Sequence, residues 1–188
     1  MTTNSIPSIG PNNRVEWKLN GELHREDGPA IEYPNGTKEW YNNGKRHRED
    51  GPAIEYSNGA KHWYKNGELH REDGPAIEDF DGSKHWYKNG LLHREDGPAI
   101  EYSNGTKAWY NNGTLHREDG PAVERTDGIK HWYKNGVKID PPKSDDWCVI
   151  GSSNSIEHHT IWSVKGETNW YVDGEKISHS EFMKRFNF

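Results

Sequence analysis

The chain has few of the side chains that usually build a protein core. It contains one cysteine, two methionines and four phenylalanines in 188 residues, and only 30% of its residues are hydrophobic. A large aliphatic core is excluded by this composition, because the mean hydropathy is −1.20. The single cysteine, Cys148, cannot form a disulfide within the chain, so nothing in the sequence indicates an oxidising compartment. We expect Cys148 to be a small core residue.

Long hydrophobic runs and an excess of basic charge are also missing. No run approaches the ~18 apolar residues of a membrane span, and the polar segment from Met1 to Asn13 lacks the apolar stretch of a secretion signal. The net charge of −6 argues against nucleic acid as a partner, since such proteins present basic patches to phosphates. We therefore expect no membrane span and a cytoplasmic location, or the host cytoplasm if the source is viral.

The chain is rich in aromatic residues and in internal repetition. Nine tryptophans and nine tyrosines are too many for a disordered chain. The heptapeptide His-Arg-Glu-Asp-Gly-Pro-Ala occurs five times without substitution, each copy 23 residues after the previous one. Tryptophan and two glycine series follow the same step. The copies of the heptapeptide begin at His24, His47, His70, His93 and His116. Such fidelity predicts a tandem array in which neighbouring repeats bury each other's aromatic side chains.

The signals within one repeat are those of β-structure. Proline and three glycines in every 23 residues leave no window for a stable helix. Asn-Gly between short alternating runs predicts a tight hairpin, because both residues tolerate positive φ. If Asn35-Gly36 forms a two-residue turn, Ile31 pairs with Trp40, and successive repeats build a ladder of isoleucine and tryptophan. The Glu-Asp-Gly-Pro step leaves two or three strands per repeat open; near-translation between equivalent repeats favours two.

The ends of the chain depart from the repeat. We divide the sequence into a flexible N-terminal segment (1–13), a repeat array (14–139) and a diverged C-terminal cap (140–188). Ser178 to Glu181 has the form of a capping box and precedes apolar residues at helical spacing, which predicts a short capping helix. The expected fold is all-β: antiparallel hairpin repeats that form an elongated single-layer or solenoid-like sheet closed by that helix.

One segment of the repeat resembles a known family. The stretch from Tyr64 to His70, Tyr-Lys-Asn-Gly-Glu-Leu-His, resembles the MORN repeat, and the resemblance covers roughly Trp17 to Gly136. It departs from the MORN pattern after the histidine, where Arg-Glu-Asp-Gly-Pro replaces Gly-x-Gly. The chain is thus similar to divergent MORN-like proteins of bacteria, phages and large DNA viruses. The resemblance implies one hairpin per repeat and a non-catalytic scaffold for protein or membrane contacts; some bacterial relatives are antitoxins.

The His-Arg-Glu-Asp string has the residue types of a hydrolase or a metal site. A catalytic site needs one constellation of tuned groups, whereas five copies in equivalent surroundings indicate a structural device. Successive histidines would lie ~10 Å apart across two strands, too far to share a zinc ion. The adjacent His158 and His159 point to opposite faces of an extended segment. We expect no enzyme activity, no metal and no cofactor.

Binding specificity is expected at the positions where the copies differ. Each repeat has two positions of this kind. Tyrosine and arginine dominate interface hot spots, and a regular sheet presents them at constant spacing. The position of His62 is expected to be at the surface. The variable positions are Glu39, His62, His85, Ala108 and His131, and Lys45, Glu68, Leu91, Thr114 and Val137. The candidate binding residues are Arg48, Arg71, Arg94, Tyr64, Tyr87, His62, His85 and His131.

Two classes of binding function, and a less favoured catalytic one, follow from these residues. The first is a module that docks another protein, as a scaffold or as a phage or antitoxin-like inhibitor. The second is a binder of a small molecule or nucleotide, with a deep pocket expected where the last repeat meets the cap. The third is a hydrolase that uses histidine and aspartate. The sequence does not specify the oligomeric state.

Overall fold

The computed structural model describes residues 5–140, 159–164, 167–172 and 175–186. Contacts between residues divide the chain into two compact parts, Met1–Ile139 and Asp140–Phe188. Both parts consist of short antiparallel strands, and the described residues contain one α-helix.

The first part begins with β1 (Ile6–Ile9), a 3-10 turn (Pro11–Asn13), β2 (Val15–Leu19) and β3 (Glu22–Leu23). Repeat 1 comprises β4 (Ile31–Glu32), β5 (Lys38–Glu39), β6 (Tyr41–Asn42) and β7 (Lys45–Arg46). Repeat 2 comprises β8 (Ile54–Glu55), β9 (Lys61–His62), β10 (Tyr64–Lys65) and β11 (Glu68–Leu69). Repeat 3 comprises β12 (Ile77–Glu78), β13 (Lys84–His85), β14 (Tyr87–Lys88) and β15 (Leu91–Leu92). Repeat 4 comprises β16 (Ile100–Glu101), β17 (Lys107–Ala108), β18 (Tyr110–Asn111) and β19 (Thr114–Leu115), and repeat 5 comprises β20 (Val123–Glu124), β21 (Lys130–Lys134) and β22 (Val137–Ile139).

One long sheet passes through all five repeats. Its 14 strands follow the order β1-β2-β4-β5-β8-β9-β12-β13-β16-β17-β20-β21-β22, with β3 beside β2. The all-β prediction of tandem antiparallel hairpins is confirmed. Each complete internal repeat has four short strands instead of the favoured two: two lie in this sheet and two form a separate second hairpin such as β10-β11. The N-terminal segment differs from the expected flexible tail, because Ile6–Ile9 pairs with β2 along its whole length.

The register of the long sheet differs from the predicted one. Ile31 lies opposite Glu39, not Trp40, and Ile54 lies opposite both Glu39 and His62. The predicted ladder of isoleucine and tryptophan is therefore wrong: isoleucine shares its row with the variable position. Trp40 follows Glu39 and lies on the opposite face, because strand residues alternate between faces.

The error in register comes from the first turn of each repeat. Tyr56 N–H donates to the Ala60 carbonyl and Gly59 N–H to the Tyr56 carbonyl, each at 2.9 Å, which makes a three-residue loop instead of the predicted two-residue turn. Gly59 has φ +93, whereas Asn58 does not have positive φ. The Asn58 side chain accepts a bond from Ala60 N–H at 3.1 Å. Aspartate replaces asparagine in this turn because either side chain supplies that oxygen, as Asp81 does for Ser83.

The second turn of each repeat is the expected two-residue Asn-Gly turn. Asn66 and Gly67 have φ +54 and +91, so both residues are left-handed, and Tyr64 pairs with Leu69 on either side of them. Asparagine tolerates this conformation better than most residues, which explains why the five repeats keep it here without exception. The second hairpins stack along the array, since Gly67 N–H donates to the Arg46 carbonyl of the previous repeat at 2.8 Å.

Tryptophan is the residue at which each internal strand passes from one hairpin to the other. Trp63 N–H donates to the Ala76 carbonyl in the next repeat at 2.8 Å, and its carbonyl accepts from His70 N–H at 3.1 Å. Two-residue strands therefore flank each internal tryptophan, whereas β21 runs through Trp132 without a break. The core is thin: beneath these residues lie alanines with no exposed surface. They are Ala30, Ala53, Ala76, Ala99 and Ala122.

The described residues of the second part form a three-stranded antiparallel sheet and a helix. The elements are β23 (His159–Val164), β24 (Glu167–Val172), β25 (Glu175–Ile177) and α1 (His179–Phe186). Glu181 N–H donates to Ser178 Oγ at 3.2 Å and Ser178 N–H to Glu181 Oε2 at 2.9 Å, the two bonds of a capping box. That this helix caps the array stays a prediction. Cys148 and His158 lie outside the described residues.

None of the helices among the described residues has the length and apolarity needed to cross a bilayer.

The first turn gives a test at Asn58. We predict that Asn58→Asp changes the free energy of unfolding by less than about 0.5 kcal/mol, because the acceptor oxygen is kept. Asn58→Ala should lower it by about 1 kcal/mol, because the Ala60 N–H loses its partner. Urea denaturation followed by tryptophan fluorescence measures both, and equal effects of the two substitutions would contradict the proposed role of the side chain.

Candidate binding surface

The invariant arginine joins each repeat to the next. The Arg48 guanidinium lies over the Trp40 ring of repeat 1 at 4.1 Å and donates to Glu55 of repeat 2 at 2.9 Å. It also donates to Asp50 at 2.9 Å and to the Pro52 carbonyl at 3.3 Å. The same guanidinium holds the pKa of the exposed Asp50 carboxyl below its usual range, mainly through their hydrogen bond. The remaining heptapeptides repeat this arrangement, so the arginine is a bridge within the chain.

The glycine and alanine of the heptapeptide leave room for that bridge. A Cβ atom on Gly51 would lie 3.0 Å from Arg48 Cζ, so the guanidinium would have to shift away from its position. Gly51 does not have positive φ, so the close approach of the guanidinium explains the glycine better than backbone conformation does. Ala53 is completely buried, so a larger side chain would also displace the strands beside it.

The invariant histidine connects neighbouring second hairpins. His47 Nδ1 accepts a hydrogen bond from the Asn66 backbone N–H of the next repeat at 3.1 Å. This bond requires a free lone pair on Nδ1, so the proton of the neutral ring is on Nε2. His47 Nε2 lies 3.8 Å from Glu49, whose side chain is 91% exposed. Histidine therefore has a structural role in every copy, as the sequence indicated.

Open clefts separate successive heptapeptides. One cleft of about 780 Å³ lies between the heptapeptides at His47 and His70, and one of about 850 Å³ lies between those at His24 and His47. Both are lined mainly by the charged side chains of two heptapeptides and by the Trp-Tyr pair between them. They belong to the repeat itself, so their walls are nearly identical and offer little basis for selecting one ligand.

The variable residues of β5, β9, β13, β17 and β21 lie in one row on the other face of the sheet. We call this side the variable face. It comprises this row, which consists of Glu39, His62, His85, Ala108 and His131, together with the aliphatic residues opposite it, which are Ile31, Ile54, Ile77, Ile100 and Val123. It also includes the residues two positions after those aliphatic ones: Tyr33, Tyr56, Asp79, Tyr102 and Arg125. The expectation that the position of His62 is at the surface is wrong. Glu39 and Ala108 are each only 6% exposed, and the His62 and His85 side chains are 18% and 19% exposed.

Repeat 1 places a paired carboxylate on the variable face. Glu39 accepts hydrogen bonds from Tyr41 at 2.7 Å, from Tyr33 at 3.0 Å and from Arg46 at 3.1 Å. The Arg46 guanidinium also lies 5.7 Å from the Tyr41 ring centre and 5.6 Å from that of Tyr64. Burial and the neighbouring Glu39 carboxylate raise the pKa of Tyr41 to about 12. The charge of Glu39 is therefore compensated within the chain.

Repeats 2 and 3 bring two histidines and an aspartate together on the same face. His62 Nε2 lies 4.0 Å from Asp79 Oδ1, and His85 Nε2 lies 3.5 Å from Asp79 Oδ2. Burial lowers the pKa of both histidines, an effect that the Asp79 carboxylate opposes. Tyr56 packs edge-on against His62 and Tyr102 against His85, with ring centres 4.9 and 5.9 Å apart. Asp79 thus occupies the centre of an aromatic and imidazole cluster.

The structure separates the predicted binding residues into two groups. Arg48, Arg71 and Arg94 lie on the face opposite the variable one, where their guanidinium groups are engaged by tryptophan, aspartate and glutamate. The other group lies towards the variable face or in its second hairpins. It consists of Tyr64 beside Arg46, Tyr87, whose pKa is raised chiefly by burial, His62 and His85 beside Asp79, and His131 opposite Val123.

Sequence reasoning missed Asp79 and Arg46. Each departs from the residue that three other repeats have at its position: Asp79 stands where repeats 1, 2 and 4 have tyrosine, and Arg46 where repeats 2, 3 and 4 have leucine. Aligning the copies at these two positions would have identified both. No group of three or more metal-ligating side chains that could hold an ion occurs among the residues that the structure describes.

Comparison with known proteins leaves the family open. No protein-family model matches the chain, and no curated protein is similar to it. The repeated hairpins are compatible with a MORN-like array. The resemblance to that family therefore stays a prediction.

The arginine bridge gives a test at Arg71. We predict that Arg71→Lys lowers the free energy of unfolding by about 1–3 kcal/mol, because an ammonium group cannot bind Asp73, the Pro75 carbonyl and Glu78 together while stacking on Trp63. Urea denaturation measures the change. Glu72→Gln, next to it and 82% exposed, is the control and should cost less than about 0.5 kcal/mol. Equal costs would contradict the bridge.

The histidine cluster gives a test by titration. NMR titration of the ring protons should give His62 and His85 midpoints below the ordinary 6.5, because burial lowers both pKa values. Asp79→Asn should lower them further, since the carboxylate favours the charged rings. Because the folded pKa values lie below the unfolded ones, the stability that these histidines contribute is complete above the unfolded pKa and is lost as the pH falls through the folded values. Midpoints that rise in Asp79→Asn would contradict the assignment.

Proposed function

We propose that the chain is a non-catalytic binding module that docks another protein through its variable face. The observation that carries this proposal is the separation of invariant from variable residues. Nearly all residues of the invariant heptapeptide make contacts within or between repeats, whereas the first of the two variable positions, which Glu39 and His62 occupy, forms one row on the opposite face. A surface that differs from repeat to repeat can distinguish one partner from another; an identical one cannot.

The composition of the variable face suits a protein partner. Tyr56 and Tyr102 are exposed there, and tyrosine contributes large contact area at low cost in conformational entropy. Phe80, next to Asp79, is 72% exposed, so the centre of the array also offers an apolar contact. Aromatic residues are among the types enriched in the cores of protein interfaces.

The finer parts of the proposal follow from the resemblance to MORN-like proteins. We propose a scaffold, or an antitoxin-like or phage-encoded inhibitor, in the cytoplasm. Such a role needs no invariant catalytic group, and the invariant residues of this chain make structural contacts. A hydrolase is disfavoured, because the invariant histidines accept backbone hydrogen bonds at Nδ1 and occupy five equivalent sites.

A small molecule or nucleotide is the second candidate ligand. The observation in its favour is the size of the clefts between heptapeptides, about 780 and 850 Å³, which is within the range of ligand pockets. Against it stand their charged, exposed walls and their repetition along the array, since ligand pockets are few and mostly apolar. Ligand-dependent thermal stabilisation would favour this candidate.

Photochemical crosslinking tests the proposal. A benzoylphenylalanine placed at Tyr102 lies on the variable face, and one placed at the exposed Lys107 lies on the opposite face of a neighbouring strand. In cells of the source organism, we expect light to give one discrete protein adduct with the Tyr102 variant and none with the Lys107 variant.

The two positions provide each other's control, because they differ by five residues in sequence and share the same sheet. Adducts from Lys107 alone, or equal patterns from both positions, would contradict docking through the variable face. If light increases the mass of the chain by less than the mass of a protein, the result would favour the small-molecule alternative.

A further inference from the structure

We propose that Asp79, flanked by His62 and His85 on the variable face, is the site at which a partner protein inserts an arginine side chain. The inference rests on the proposed function, which it deepens by naming the chemistry that the partner must present. Two observations support it. One is the geometry of the three carboxylates on this face, and the other is that the chain itself pairs an arginine with each carboxylate except Asp79.

The variable face carries three partly or fully buried carboxylates, and the chain supplies an arginine to two of them. Glu16, 3% exposed and opposite Ile31, binds Arg14. Arg14 lies 5.7 Å from the Tyr33 ring centre. Glu39 binds Arg46, which lies between Tyr41 and Tyr64. In both places a guanidinium is paired with a carboxylate and lies beside tyrosine rings.

Asp79 is the third carboxylate, and it has the aromatic surroundings without the guanidinium. Among the described residues, the basic side chains within 4.0 Å of its carboxylate are His62 and His85. Burial favours the neutral form of both imidazoles, so at neutral pH the charge of Asp79 has no full counter-charge. Its side chain is 36% exposed, which leaves it accessible from solvent.

The repeat explains why the guanidinium is missing. Arg46, in the second hairpin of repeat 1, also acts on Tyr56 and His62 of the next repeat. Burial raises the pKa of Tyr56 and lowers that of His62, and the Arg46 charge opposes the first effect and adds to the second. One repeat later, the residues equivalent to Arg46, Tyr56 and His62 are Leu69, Asp79 and His85. Leucine therefore stands where the chain could have supplied the cation, next to the one repeat that has a carboxylate in place of tyrosine.

Arginine fits this site better than other cations. Its planar guanidinium binds a carboxylate through two parallel hydrogen bonds and stacks on aromatic rings, whereas lysine presents a strongly hydrated point charge. A metal ion would need several ligands around one point, and His62 and His85 approach different oxygens of Asp79. The chain thus supplies the arginines for Glu16 and Glu39, and the partner supplies the one for Asp79.

A small probe tests the site without the partner. The probe is N-acetyl-arginine amide, and its control is N-acetyl-citrulline amide, which has nearly the same shape but no charge. In NMR titrations of the whole chain at pH 7.5, we expect saturable shifts of the His62 and His85 ring protons and of the Asp79 amide with the arginine probe. The citrulline probe should bind at least about tenfold more weakly.

Matched variants assign the effect to one carboxylate. Asp79→Asn should weaken the arginine probe at least about tenfold, whereas Asp81→Asn, which removes the same charge two residues away, should leave its affinity within about twofold. Asp81→Asn keeps the turn, because Asn58 and Asn104 serve in the same position. The variants should retain the wild-type spectrum away from the site, which shows that both are folded.

A gain of an internal arginine provides the complementary test. Leu69→Arg should occupy the site from within the chain and abolish binding of the probe. Leu23→Arg adds the same charge at the equivalent position two repeats earlier and should leave binding unchanged.

Equal affinity for both probes, or undiminished binding by Asp79→Asn or Leu69→Arg, would overturn the inference. So would equal or tighter binding of N-acetyl-lysine amide, since it would indicate a general cation site. These outcomes do not depend on the crosslinking result. If the arginine probe does not bind but the Tyr102 variant gives a discrete adduct, the chain docks a protein without this arginine site. If the probe binds but no adduct forms, the arginine site stands and docking of a protein is overturned.

Discussion

The stack of an arginine on a tryptophan is the contact on which the array depends. Each guanidinium lies about 4.1 Å from an indole ring in one repeat and binds a glutamate in the next, as Arg71 does with Trp63 and Glu78. The chain has too few aliphatic residues to hold its strands together by a conventional core. The bridge replaces that core with an aromatic surface, which is covered by a cation that donates to two carboxylates and a backbone carbonyl. The alanines below are small enough to leave room for it.

This bridge occupies only one side of the sheet, and the alternation of strand residues leaves the other side free to vary. Glu55 and Lys61 face the bridge, while Ile54 and His62 face away from it. Substitutions at the position of His62 therefore leave the arginine and its partners untouched. The five repeats have glutamate, histidine or alanine there, which shows how wide a range of side chains one architecture accepts.

Sequence reasoning predicted the β-class, the period and the second turn, because each depends on local chemistry such as the left-handed Asn66. It failed at the first turn, where Asn58-Gly59 has the same letters but a different length, set by the bond from Ala60 to Asn58. One residue of difference moved tryptophan to the opposite face. Asp79 was missed because its importance lies in its contacts with His62 of the previous repeat and His85 of its own, which sequence spacing does not give.

The hydrogen bonds between successive repeats make the array a chain of nearest-neighbour links. The bond from Asn66 N–H to His47 recurs with the same geometry from Asn89 to His70 and from Asn112 to His93. Opening such a chain is cheapest at its ends, where a repeat has one neighbour instead of two. Repeat 3, which carries Asp79, has two repeats on either side. Fraying of the outer repeats would therefore leave the central cluster intact, so its geometry should be retained longest as the array unfolds.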